Sequence, residues 1–119
     1  MERRLFHIAA EAEWQEARTK GEYAADSLAS EGFIHCSEPH QVVPVANTRF
    51  RARRDLVLLH IDPEKLRAAV RYENLEGGDE LFPHIYGPLN LDAVVDVTPF
   101  RPSADGGFDA HRPSLESRR

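Results

Sequence analysis

Six histidines stand among 119 residues, and three of them, His7, His35 and His84, fall in or beside short apolar segments with a strand-like pattern. Imidazole donates, accepts or carries a proton near neutrality and can ligate a metal, so three on short strands form a candidate reaction centre. Each also has a purely structural reading, as a core histidine satisfied by internal hydrogen bonds. In His35-Cys36-Ser37 an imidazole and a hydroxyl lie two residues apart; an extended strand turns both to one side, where they could hold a phosphate. Phe82 to Leu89 holds two prolines and a glycine, a rigid segment that places His84 and Tyr86 on one side.

Three other chemistries are weaker. A phosphoesterase of the two-histidine type needs a second His-x-Ser/Thr element, and neither His7-Ile8-Ala9 nor His84-Ile85-Tyr86 supplies the hydroxyl, so this stays an alternative. Zinc on His35, Cys36 and His40 is opposed by the spacing, because adjacent strand residues face opposite ways; no metal is expected. Cys36 reads as inert packing rather than a nucleophile. Ser37 has a competing reading as a helix N-cap. There is no Gly-x-Gly-x-x-Gly element, Walker loop or Gly-x-Ser-x-Gly elbow, which argues against Rossmann, P-loop and α/β-hydrolase enzymes.

The elements that must position these residues alternate between short strands and short helices. Strands are expected at Arg4 to Ala9, Phe33 to Cys36, Asp55 to Ile61, Ala69 to Asn74, Phe82 to Tyr86 and Ala93 to Phe100. Glu11 to Lys20 reads as a helix anchored by Trp14 and stopped by Gly21, with one helical turn at Ser27 to Ser30. Pro44 would disturb a helix interior, so the next helix is expected to begin there and run to Phe50. Asp62 and Pro63 open a short helix. Residues 1–101 are expected to form one domain, and 102–119, rich in Ser, Gly, Pro and charge, read as a mobile tail or a tail laid on the surface.

Hydrophobic residues make up 41% and charged residues 29%, an ordinary globular composition. The longest apolar run, Leu56 to Leu59, is far short of the roughly 20 residues of a membrane-spanning helix. No signal-peptide core follows Arg3 and Arg4, and the lone Cys36 suits a reducing compartment, so a cytoplasmic location without membrane attachment is expected. The net charge of −5 disfavours general nucleic-acid binding. Against it, Arg49, Arg51, Arg53 and Arg54 cluster within six residues and could meet a local phosphate.

Phe6-His7-Ile8 with Trp14, Ser27-Leu28, Glu31 to Ser37, Val45-Ala46-Asn47, Leu56 to Asp62 and Phe82 to Leu89 together resemble the bacterial domain-of-unknown-function family 952. The resemblance covers about residues 5 to 100. It implies an α+β fold similar to the ADP-ribosyltransferase catalytic domain, with two small sheets and short helices around a cleft that holds NAD in relatives. In such transferases a histidine or arginine on the first strand and an aromatic residue or histidine on a later one grip the dinucleotide; His7 and His35 match these. The usual glutamate is missing where the last motif strand begins, with His84 or Tyr86 in its place, and His7 lacks the following glycine.

The resemblance therefore points to an NAD-dependent transferase, to an enzyme like those acting on RNA 2′-phosphates, or to a non-catalytic ligand- or partner-binding domain. His7, His35, His84 and Tyr86 are the expected catalytic residues. Ser27, Glu31, Ser37, Asn47, Arg49 and Arg51 are the expected ligand contacts. The partner is expected to be a small nucleotide, and the chain a monomer or weak homo-oligomer.

Overall fold

Leu56–Ile61 forms strand β4, buried at every position, and the rest of the fold is laid on it. It lies between β1 (Leu5–Ala10) and β8 (Val94–Phe100) in an antiparallel sheet of order β1-β4-β8. The computed structural model describes residues 3–75 and 77–108. Because side chains alternate along a strand, the sheet feeds two cores. Leu5, Ala9, Val57, Leu59 and Ile61 pack with Trp14, Ile34, Ile85 and Leu89 on one face. Phe6, Ile8, Leu56, Leu58 and Phe100 pack with Val42, Ala46 and Phe108 on the other. Each such large aliphatic side chain contributes roughly 1.5–3 kcal/mol on burial, which makes this sheet the rigid base of the molecule.

Helix α1 (Glu11–Lys20) carries acids in its first turn and Arg18 and Lys20 in its last, matching the helix dipole. It ends at Gly21, whose φ of 95° is readily available to glycine. Strand β2 (Glu22–Tyr23) then pairs with β7 (Leu89–Asn90) in a small sheet of its own. Helix α2 (Asp26–Glu31) stops in the same way at Gly32, φ 90°, and leads into β3 (Ile34–His35). With β6 (Phe82–Tyr86) and β5 (Ala69–Glu73), β3 builds a third sheet of order β3-β6-β5. Helix α3 (Val42–Arg49) covers the second core.

The α+β class and the principal elements match the sequence analysis, with four differences. There are three small sheets among the described residues, not two, because Tyr23 and Leu89 pair within a stretch read as loop. Ser37 is not a helix cap: its backbone exchanges hydrogen bonds with Phe6 at 2.8 and 2.9 Å, tying β1 to the chain leaving β3. Glu38 and Gln41 cap the following 3₁₀ turn instead, and α3 begins at Val42, so Pro44 falls in its first turn, where a missing N–H costs little. Finally, residues 102–108 are docked. Phe108 is buried against Phe100 with ring centroids 4.6 Å apart, and Asn47 receives a hydrogen bond from its N–H at 2.7 Å. The remaining expected tail, 109–119, lies outside the described residues.

Candidate functional site

β1, α3, β3, β5 and β6 surround a cleft of about 550 Å³, and His7, His35 and His84 all line it. The pairing of β3 with β6 sets His35 directly opposite His84, their rings edge to face at 5.4 Å. Phe33 lies beneath, stacked on His84 at 4.2 Å. Phe6, Phe50 and Phe82 complete an aromatic wall.

The three imidazoles are in different chemical states. His7 is buried; its Nδ1 lies 2.6 Å from the His35 carbonyl oxygen and its Nε2 2.9 Å from the Tyr23 hydroxyl. A carbonyl only accepts, so Nδ1 carries the hydrogen and Nε2 accepts from Tyr23. Burial drives the pKa of His7 down to about 4, against the smaller upward pull of the His35 carbonyl. His7 is thus a neutral, doubly bonded strut at neutral pH. Tyr23, raised by the same burial, remains a phenol and hence a donor.

His84 has a side chain only 5% exposed, and its Nδ1 lies 2.9 Å from Glu73 Oε1. The Tyr86 hydroxyl donates to the same oxygen at 2.6 Å. These two bonds, Tyr86 first and His84 second, hold the Glu73 carboxyl below its ordinary range. An ionised carboxylate only accepts, so His84 Nδ1 is the donor. Among the described residues Nε2 has no hydrogen-bond partner, and no fully buried side-chain nitrogen or oxygen lacks one, so Nε2 opens to the cleft it lines. A carboxylate behind an imidazole fixes its tautomer and orientation and stabilises the imidazolium, the arrangement of a general acid or base. His35, with 44% of its side chain exposed, bonds Glu31 at 3.2 Å through Nε2.

The expected ligand contacts divide. Glu31, Ser37 and Arg49 line the cleft, whereas Ser27, Asn47 and Arg51 do not, nor does Tyr86 of the expected catalytic residues. Ser27 donates to the Phe33 carbonyl at 2.7 Å and so fastens α2 to β3. Asn47 clamps Phe108, and Arg51 donates to the Asp105 carbonyl. The arginine cluster disperses, with Arg53 spent on a two-pronged ion pair with Asp55. Tyr86 gives its hydroxyl hydrogen to Glu73 and stands where a second His-x-Ser/Thr element would need its hydroxyl. Burial pushes the Cys36 thiol up, leaving it protonated.

Glu73 and Tyr23 escaped the sequence analysis. The signal for Glu73 was the Gly77-Gly78 turn: folding a hairpin about it pairs Glu73 with Phe82 and puts Glu73 on the face of His84 and Tyr86. Tyr23 had no comparable signal, since its strand is two residues long.

A small α+β protein with a histidine-lined cleft beside a carboxylate-held imidazole is the class these features define. A family model described as "Protein of unknown function (DUF952)" matches residues 8–97, and the chain belongs to that family. It is similar to the crystal structure of CC0527 from Caulobacter crescentus, with 32% identity and a TM-score of 0.80 over 89% of this chain and 93% of that one. The solution NMR structure of CC0527 gives 32% identity and a TM-score of 0.78 over 89% and 91%. No curated protein matches the chain. Among the described residues no helix is long and apolar enough to cross a membrane.

Proposed function

We propose that the protein is an enzyme acting on a small molecule, with His84 as general acid–base at Nε2 and Glu73 as the residue that orients it. The observation that carries this reading is the 2.9 Å contact between His84 Nδ1 and Glu73, with Nε2 left open to the cleft. Tyr86 positions Glu73 from behind, and His7 serves the structure rather than the proton transfer. His84→Ala should slow turnover by about 10²- to 10⁴-fold, the usual contribution of such a group. The test incubates the protein with a small-molecule extract of whole cells and follows consumption by mass spectrometry. A species consumed by the wild type and spared by His84→Ala supports the reading; no consumption, or equal consumption, overturns it in favour of a binding domain.

A second reading is favoured by Arg49 and Ser37 on the cleft wall: binding of NAD or a 2′-phosphorylated nucleotide for a transfer reaction. The ADP-ribosyltransferase-like fold that the sequence resemblance implies supports it by analogy alone. The charges fit a dinucleotide poorly. Among the described lining residues Arg49 is the one arginine or lysine, set against Glu31, Glu73 and Glu80, and a diphosphate would face all three carboxylates. Calorimetric titration with NAD, ADP-ribose and 2′-phosphorylated nucleotides tests this reading, and an absence of binding below millimolar concentration ends it.

A further inference from the structure

We propose that the ligand of this cleft is a small organic cation, a ring-sized molecule bearing a protonated nitrogen, and not a phosphate ester; this rests on the acid–base reading of the same site. The carboxylates and imidazoles on the cleft wall offer mainly acceptors, set against the Arg49 guanidinium, the Asn74 amide and the Ser37 and Thr48 hydroxyls as donors. With Nδ1–H given to Glu73, neutral His84 presents a lone pair at Nε2, on a side chain 5% exposed and without a hydrogen-bond partner there among the described residues. With Nε2–H given to Glu31, neutral His35 likewise carries its lone pair on Nδ1. Glu31 and Glu80 add carboxylate oxygens, their side chains half exposed, and Glu80 is steadied by Gln41 at 2.9 Å. A ligand that satisfies such a lining must bring donors.

The charge balance agrees. Three carboxylates, Glu31, Glu73 and Glu80, face the cleft against the single guanidinium of Arg49. The walls supply apolar surface as well, since Phe6, Phe33, Phe50 and Phe82 all line the cleft and a ligand ring can pack there. His84, stacked flat on Phe33, sets its acceptor beside that wall, where a ligand N–H can meet Nε2 while the ring packs on the phenyl groups. A phosphate would meet one favourable charge and three unfavourable ones.

The experiment titrates the full chain at pH 7 and low salt with benzylammonium, benzyl alcohol, benzoate and inorganic phosphate, following histidine and backbone resonances by NMR. Benzylammonium should bind at least about tenfold more tightly than benzoate, with benzyl alcohol between them, and should shift His84 and His35. The double variant Glu31→Gln/Glu80→Gln should lose most of this preference, its affinity falling much further for benzylammonium than for benzyl alcohol. Benzoate or phosphate binding as tightly as benzylammonium, or a preference that survives the double variant, overturns the proposal. These measurements do not depend on turnover. Loss of the cation preference with a His84-dependent reaction intact removes only the ligand class; a clear preference with no His84-dependent reaction removes only the enzyme reading.

Discussion

His7 and His84 line the same cleft, yet one has both ring nitrogens bonded inside the protein and the other only one. His7 spends both nitrogens inside the protein, on a backbone carbonyl and a phenol, and burial holds it neutral. His84 spends one nitrogen on a carboxylate and keeps the other open. The residue type is the same; the partner behind the ring decides the role. At His7 burial outweighs the carbonyl's pull toward the charged form, whereas at His84 a carboxylate accepts from the near nitrogen and the far one is left open.

The comparison can be broken most directly at His84. His84→Ala should cut turnover by about 10²- to 10⁴-fold, whereas the loss caused by His7→Phe should follow the unfolded fraction alone. Activity measured together with thermal unfolding separates the two. If both variants lose activity while folded, the division of roles is wrong.

The next effect is acid instability at His7. Its folded pKa, about 4, lies below the ordinary 6.5, so as pH falls the unfolded chain takes up the proton first. The stability that His7 confers is complete above pH 6.5 and is lost as pH drops through 6.5 toward 4. The loss is on the order of 3 kcal/mol. His7→Phe should flatten this slope and, by stranding the Tyr23 hydroxyl and the His35 carbonyl, cost about 2 kcal/mol at pH 7. Urea unfolding from pH 7 to pH 4 measures both.

Asn47→Ala should cost about 1–2 kcal/mol by releasing Phe108, with no change in the cation titration. A changed affinity would return Asn47 to the site. The smallest effect is spectroscopic. The Tyr86 phenol is raised because Glu73 accepts its hydrogen and opposes the phenolate charge. In Glu73→Gln it should titrate at lower pH, toward the ordinary 10, in carbon-13 tyrosine spectra. An unmoved Tyr86 would mean that Glu73 does not hold Tyr86 and His84 together.

Much of the fold was legible because it rests on local rules. The apolar run of β4, the Gly21 stop of α1 and the strand Phe82–Tyr86 follow from patterning and backbone freedom. Ser37 misled because its residue type suits a cap while its backbone was needed to bridge to Phe6. Phe108 looked like part of a tail because the nearby Gly, Ser and Asp residues hide one buried ring.

By itself the sequence determined which imidazoles share the cleft region, since short strands and rigid turns leave His7, His35 and His84 few places to go. Only the tertiary structure decided how each imidazole is partnered. Protonation and hydrogen-bond roles depend on partners far away in the chain: Tyr23 sixteen residues from His7, and Glu73 eleven residues from His84 across a hairpin. Strand register and burial set those partners, and neither is carried by the identity of a histidine.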